Sequence, residues 1–140
     1  AVAEIRKLLN QPHLKIASPA SLEADWRVRS LKLSPFGANA YPFFPCRIFP
    51  EDDALTFQKS KGSQRRHGLL GRSGESQFLF LGASYHEGDP LPAYSAWIDQ
   101  PTEADREHDS AGHLYKIGPD HLLILFAPKN HRTEIYELMR

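Results

Sequence analysis

Apolar and polar residues alternate along most of the chain in short runs broken by turn formers, and only the first stretch departs from that rhythm. There Ile5, Leu8 and Leu9 recur at three- and four-residue spacing until Pro12 ends the pattern, which predicts one short amphipathic helix. From Ala20 onward the runs are β-like and recur at the spacing of about eight to twelve residues expected of an all-β sandwich or barrel. Trp26 to Leu33 is the first predicted strand. Trp26 and Val28 share one face and Leu31 and Leu33 the other, a phase slip that predicts a bulge near Ser30. Ser34-Pro35-Phe36-Gly37 ends it. Phe43 to Phe49 follows, with Phe44, Cys46 and Ile48 on one face and with Pro42 and Pro45 pushing part of it toward an edge or a barrel rim.

Further strands are predicted around Leu55 and Phe57, over Gln64 to Leu70, over Gln77 to Tyr85 and over Tyr94 to Ile98. Asp99 to Ser110 carries no apolar period and reads as one long polar loop, after which His113 to Ile117, His121 to Phe126 and Thr133 to Leu138 complete a meander. Eight or nine sequential antiparallel strands either leave two open edges or close on themselves, and closure removes the edges. The expected fold is therefore all-β: a small antiparallel meander barrel of the lipocalin or streptavidin kind with a short N-terminal helix. It forms one domain over 1–140, with 1–20 as helix and lead-in and 21–140 as barrel. The gaps between strands are too short for the crossovers of a parallel sheet. Phe44, Phe57, Phe78, Phe80, Leu125 and Phe126 are the large side chains expected to fill the interior.

Composition narrows the function classes. The 140 residues contain 17 Lys and Arg against 17 Asp and Glu, so no overall field draws the chain to nucleic acid or an anionic surface, and electrostatic function must be local. The longest apolar stretch, Leu122 to Ala127, is far too short to span a membrane as a helix. Cys46 is the only cysteine, which excludes an intrachain disulfide and a thiolate zinc cluster; its strand position between Phe44 and Ile48 predicts a buried, inert thiol. The opening Ala1-Val2-Ala3 fits a processed, exported protein as well as a trimmed chain.

Candidate chemistry concentrates in one hairpin. Lys59, Lys61, Arg65, Arg66, His67 and Arg72 lie in a stretch without a carboxylate. One reading is an anion site, with guanidinium forks and the backbone donors of Gly62 and Ser63 holding a carboxylate or phosphate. The other is a solvated hairpin whose arginines pair with Asp99, Glu103, Asp105, Glu107 and Asp109 in the polar loop. No aromatic residue lies between Lys59 and Arg72 to stack on bases, which argues against nucleic acid. The seven histidines form no HExxH pair, the acidic loop lacks the spacing of a calcium loop, and no cofactor or metal is expected. Gly82-Ala83-Ser84-Tyr85-His86 misses the glycine of a nucleophile elbow, and Glu87 or Asp89 beside His86 is the only local acid–base pairing, so the chain is expected not to be an enzyme. The expected binding residues are Lys59, Lys61, Arg65, Arg66 and Trp97, at the open end of the barrel. The expected partner is a protein, because the large inward side chains are enough to fill a narrow barrel; the alternative is a small anionic or apolar ligand, if the barrel has a pocket and Arg65 or Arg66 points into it.

Trp26-Arg27-Val28-Arg29-Ser30, Tyr41-Pro42-Phe43-Phe44-Pro45-Cys46-Arg47-Ile48, Gly62-Ser63-Gln64-Arg65-Arg66-His67-Gly68 and Phe80-Leu81-Gly82-Ala83 resemble a bacterial family of small exported proteins of unknown function, seen mainly in alphaproteobacteria. The resemblance spans Trp26 to Leu138 and implies export, to the periplasm or beyond, with a β-rich domain; the family has no assigned activity, so no catalytic residues carry over. The meander is also similar, in architecture only, to the barrels that include periplasmic inhibitors of secreted metalloproteases. Those use an extended N-terminal segment and a disulfide, where this chain has a predicted helix and a single cysteine.

Overall fold

A computed structural model describes residues 1–140. The chain forms helix α1 (Val2–Leu9), strands β1 (Ala24–Ser34), β2 (Gly37–Ala40), β3 (Phe44–Glu51), β4 (Ala54–Lys59), β5 (Gln64–Gly74) and β6 (Gln77–His86), helix α2 (Glu103–Glu107), and strands β7 (Asp109–Gly118), β8 (His121–Phe126) and β9 (Thr133–Met139). Strands β1 and β3 to β9 pair with their sequence neighbours, all antiparallel, and β9 pairs back onto β1 from Arg27↔Met139 to Leu33↔Thr133. The result is the expected closed, eight-stranded antiparallel barrel. Strand β2 hangs on the end of β1 as a hairpin (Leu31↔Ala40 to Ser34↔Gly37) and leaves the only unpaired edge. The β3–β4 and β8–β9 turns place two consecutive residues in the left-handed region, Asp52-Asp53 and Asn130-His131, the twist that two-residue hairpins require.

Several expectations change. No bulge interrupts β1 at Ser30, where its register with β9 runs unbroken. Leu31 and Leu33 lie on the outer wall because α1 covers that wall: Ile5 packs with Leu31, Leu123 and Ile135, and Leu8, Leu33 and Leu125 flank them. Both faces of β1 are thus buried, which reads in sequence as a phase slip. Leu125 belongs to this outer cluster and does not fill the barrel. The stretch Tyr94–Ile98 is no strand; Ser95–Trp97 is a 3-10 turn. The polar loop holds α2, started by a reciprocal capping box between Thr102 and Asp105, and Asp109 and Ser110 already belong to β7. The turn at Ser34–Gly37 opens strand β2, too short and too mixed in polarity to announce itself.

Inside, the barrel is divided. Phe57, Phe80, Phe126 and Tyr136, from β4, β6, β8 and β9, meet mostly edge-to-face with centroids 4.8 to 5.9 Å apart and plug the waist. Glycines make room for the rings. A Cβ on Gly68 would stand 2.6 Å from the Phe80 ring, and one on Gly82 2.1 Å from the His67 carbonyl oxygen. Below the plug, Trp26, Val28, Cys46, Ile48, Leu70, Phe78, Leu114, Leu122 and Leu138 fill the interior. The lead-in seals that end: Leu14 and Ile16 donate backbone hydrogen bonds to Lys116 and Glu75, Leu22 is buried, and the Trp26 indole donates to the Leu22 carbonyl. Cys46 is free and buried, as its strand position predicts. Burial, the largest influence on it, pushes its thiol up to about 12.

Candidate functional site

Above the aromatic plug the inward strand positions turn polar. Continuing the alternation, β1 offers Ser30 and Lys32, β4 Lys59, β5 Arg66, β7 Ser110 and β9 Glu134. The centre of this mouth is Arg66, only 8% exposed. Its guanidinium lies flat on the plug, 3.8 Å from the Phe126 ring centre and 4.9 Å from that of Tyr136. Nε donates to the Ser110 hydroxyl (2.8 Å) and Nη1 to Glu134 Oε1 (3.0 Å), and the Tyr136 hydroxyl lies against the same guanidinium. Glu134 also accepts from the Ser30 hydroxyl.

The electrostatics follow from this pairing. Burial, the strongest single influence on Glu134, raises its pKa, but Arg66, the Ser30 hydrogen bond and Lys32 together hold it below the ordinary carboxylate value. Burial likewise opposes the charge of Arg66, and Tyr136 and Glu134 overcome it, leaving its pKa above the ordinary arginine value. The Tyr136 phenol is pushed up to about 12, chiefly by burial.

Over this floor opens a cavity of about 670 Å³. Arg66, Ser110, Glu134 and Phe126 form its base, and Lys32, Tyr94, Lys129 and Arg132 stand in its wall. A side lobe of about 190 Å³, between Tyr41, Phe44, Lys59 and Tyr136, shares Lys32 and Glu134 with it. Lys129 is engaged with the Glu107 and Asp109 carbonyls and Lys32 with Gln64, whereas the Arg132 side chain has no protein partner. The main cavity is of the size that takes a small organic ligand.

The predicted binding residues separate here. Arg66 enters the barrel. Lys59, 5% exposed, also turns inward, where its ammonium donates to the Lys61 and Gln64 carbonyls and lies 4.8 Å from the Phe44 ring centre; burial lowers its pKa. Lys61 is exposed on the hairpin tip. Arg65 stays at the rim, donating to the Gly62 carbonyl and standing 3.7 Å from Glu87. Trp97 is 51% exposed outside the cavity and packs on Tyr94, which does line it. The pairing of the hairpin arginines with the polar loop is not found: Arg66 is neutralised by Glu134 and Arg65 meets Glu87. Glu134, Ser110, Tyr136 and Arg132 escaped the sequence reading. The signal for the first was there, since Glu134 shares its strand phase with Tyr136 and Leu138, just as Lys59 does with Leu55 and Phe57 and Arg66 with Leu70.

A closed meander barrel, filled to the waist and opening above it into a charged mouth, defines a class of small β-barrel domain with one accessible interior end. The chain belongs to the family described as Domain of unknown function (DUF4893), whose model matches residues 1–138. No curated protein and no solved structure matches it.

Proposed function

We propose that this protein is a non-enzymatic binding domain that takes a small anionic ligand, carrying a carboxylate or phosphate, into the barrel mouth. The observation that carries this reading is Arg66: a buried guanidinium fixed on an aromatic floor at the base of a cavity that Lys32 and Arg132 also line. A preorganised guanidinium loses little freedom on binding an oxyanion, and its weakly screened position strengthens the charge-assisted hydrogen bond. Ligand binding is favoured over a flat protein-docking patch because the interior residue of the arginine pair points into an open volume. Arg66 and Glu134 neutralise each other, while Lys32, Lys59 and Lys129 meet only neutral acceptors and Arg132 meets none, so the mouth keeps an excess of positive charge suited to holding an anion. Export is part of the same proposal and rests on the family likeness of the sequence motifs.

The reading is tested by isothermal titration with inorganic phosphate and with a panel of small mono- and dicarboxylates. At least one anion is expected to bind, more weakly at high salt. Arg132→Ala, which removes a rim cation with no structural partner, is expected to weaken binding roughly tenfold, about the worth of one charge-assisted hydrogen bond. An absence of binding across the panel, or binding unaffected in both Arg132→Ala and Arg66→Met, would exclude the mouth as an anion site.

A further inference from the structure

The β1–β2 hairpin is the least explained part of the molecule. From Leu33 to Cys46 the chain runs fourteen residues without an ionisable charged side chain or histidine, the cysteine apart, bounded by Lys32 and Arg47, in a protein that is 24% charged. The tip carries Phe36, 98% exposed and without a packing partner, and Tyr41 at the base is 43% exposed. The outer edge of β2 is unpaired and bears none of the charges with which exposed edges are commonly protected. Leu33 and Ala38 at the base of the hairpin pack against the cluster under α1, whereas the Phe36 ring at its tip stands wholly in water and its burial against an apolar surface would be favourable.

What covers it follows from the charge around the rim. Going round the barrel from β1, the nearest mouth-end turns are β8–β9 on one side and β4–β5 on the other. Residues 127–133 contain Lys129, His131 and Arg132, the β4–β5 turn presents Lys61 and Arg65 while Lys59 and Arg66 turn inward, and neither turn contains a carboxylate. The acidic connection with Glu87, Asp89, Asp99, Glu103, Asp105 and Glu107 joins β6 to β7, on the opposite side of the mouth. An aromatic, charge-free tip flanked by Lys61 and Arg132, neither of which meets a carboxylate, complements an anionic lipid surface: the ring enters the headgroup boundary and the two cations meet lipid phosphates.

We propose that the β1–β2 hairpin is a membrane-docking arm that sets the barrel mouth against an anionic bilayer. The inference does not depend on what the mouth binds, because Phe36 lies outside the cavity. The test is co-sedimentation of the 140-residue chain with vesicles of phosphatidylcholine, with and without phosphatidylglycerol. The chain is expected to pellet with the phosphatidylglycerol vesicles at low salt and to be released by salt. Phe36→Ser should bind these vesicles roughly tenfold more weakly with an unchanged melting temperature, since the ring touches nothing in the fold. Phe36→Trp should keep binding, and its fluorescence should be quenched by brominated acyl chains more than that of the parent chain. Failure to pellet, equal pelleting with phosphatidylcholine alone, Phe36→Ser binding like the parent, or no added quenching in bound Phe36→Trp would each overturn the proposal. A Phe36-dependent dimer in sedimentation velocity, without vesicle binding, would replace the lipid by a second copy of the chain.

Discussion

Arg66 and Glu134 bind the energetics of single residues to the candidate site. Both are largely withdrawn from water, so each is tolerable only because the other is present. Arg66→Met is expected to destabilise the fold by about 3 kcal/mol in urea denaturation, because it strands the Glu134 carboxylate, and Glu134→Gln added to the same chain should recover much of the loss. The acid limb of stability has a definite sign. Folding holds the Glu134 pKa below its unfolded value, so its contribution is complete above roughly pH 5 and is lost as the pH falls through the carboxyl range. Parent and Glu134→Gln chains should therefore differ in stability at neutral pH and converge in acid. For Cys46, burial with a thiol pushed up to about 12 predicts that a thiol reagent at mildly alkaline pH labels the native chain only at the rate at which it opens, and labels denatured chain at once. Inward residue identity was legible for Arg66 and Lys59, whose strand phase matches Leu70 and Phe57. Their partners were not, because the pairing of Arg66 with Glu134 spans 68 positions and depends on which strands meet across the mouth.

At the scale of elements, the waist plug and the outer helix matter most. Strands β5 and β6 approach closely at Gly68 and Gly82, so Gly82→Ala must displace backbone rather than a side-chain end, and a loss of about 3 kcal/mol is expected, read as a lower urea midpoint. Helix α1 contributes through one buried residue, Ile5, and through the ion pair of Glu4 with Arg29, whose guanidinium also binds Glu137. Ile5→Ala should cost about 2–4 kcal/mol by opening a cavity over Leu31, Leu123 and Ile135. A free helix of eight residues is marginal in water, so α1 owes its stability to that wall. The helix, the β4 to β6 meander and the closing strands were legible because each carries its own period. Strand β2 and helix α2 were not, since one is four residues long and the other is polar all round and held by its capping box.

For the molecule as a whole, the decisive contact joins β1 to β9, near the two ends of the chain. Such closure requires long-range pairing before the interior is sealed, so folding is expected in the millisecond-to-second range by stopped-flow fluorescence rather than in microseconds. The sequence by itself determined the class of the fold, because alternation of period two, turn residues at regular spacing and the lack of long helices leave few ways to bury these side chains. It also determined that Cys46 is buried and unpaired and that basic charge is gathered on one hairpin. Tertiary structure alone decided which carboxylate meets Arg66, that the barrel is filled below its waist and open above, and that Leu31 and Leu33 face a helix rather than follow a bulge. The reason is physical: strand periodicity assigns a side chain to one of two faces, but whether a face meets core, helix, ligand cavity or water depends on barrel closure and on what packs outside it, and both are contacts between residues remote in the chain.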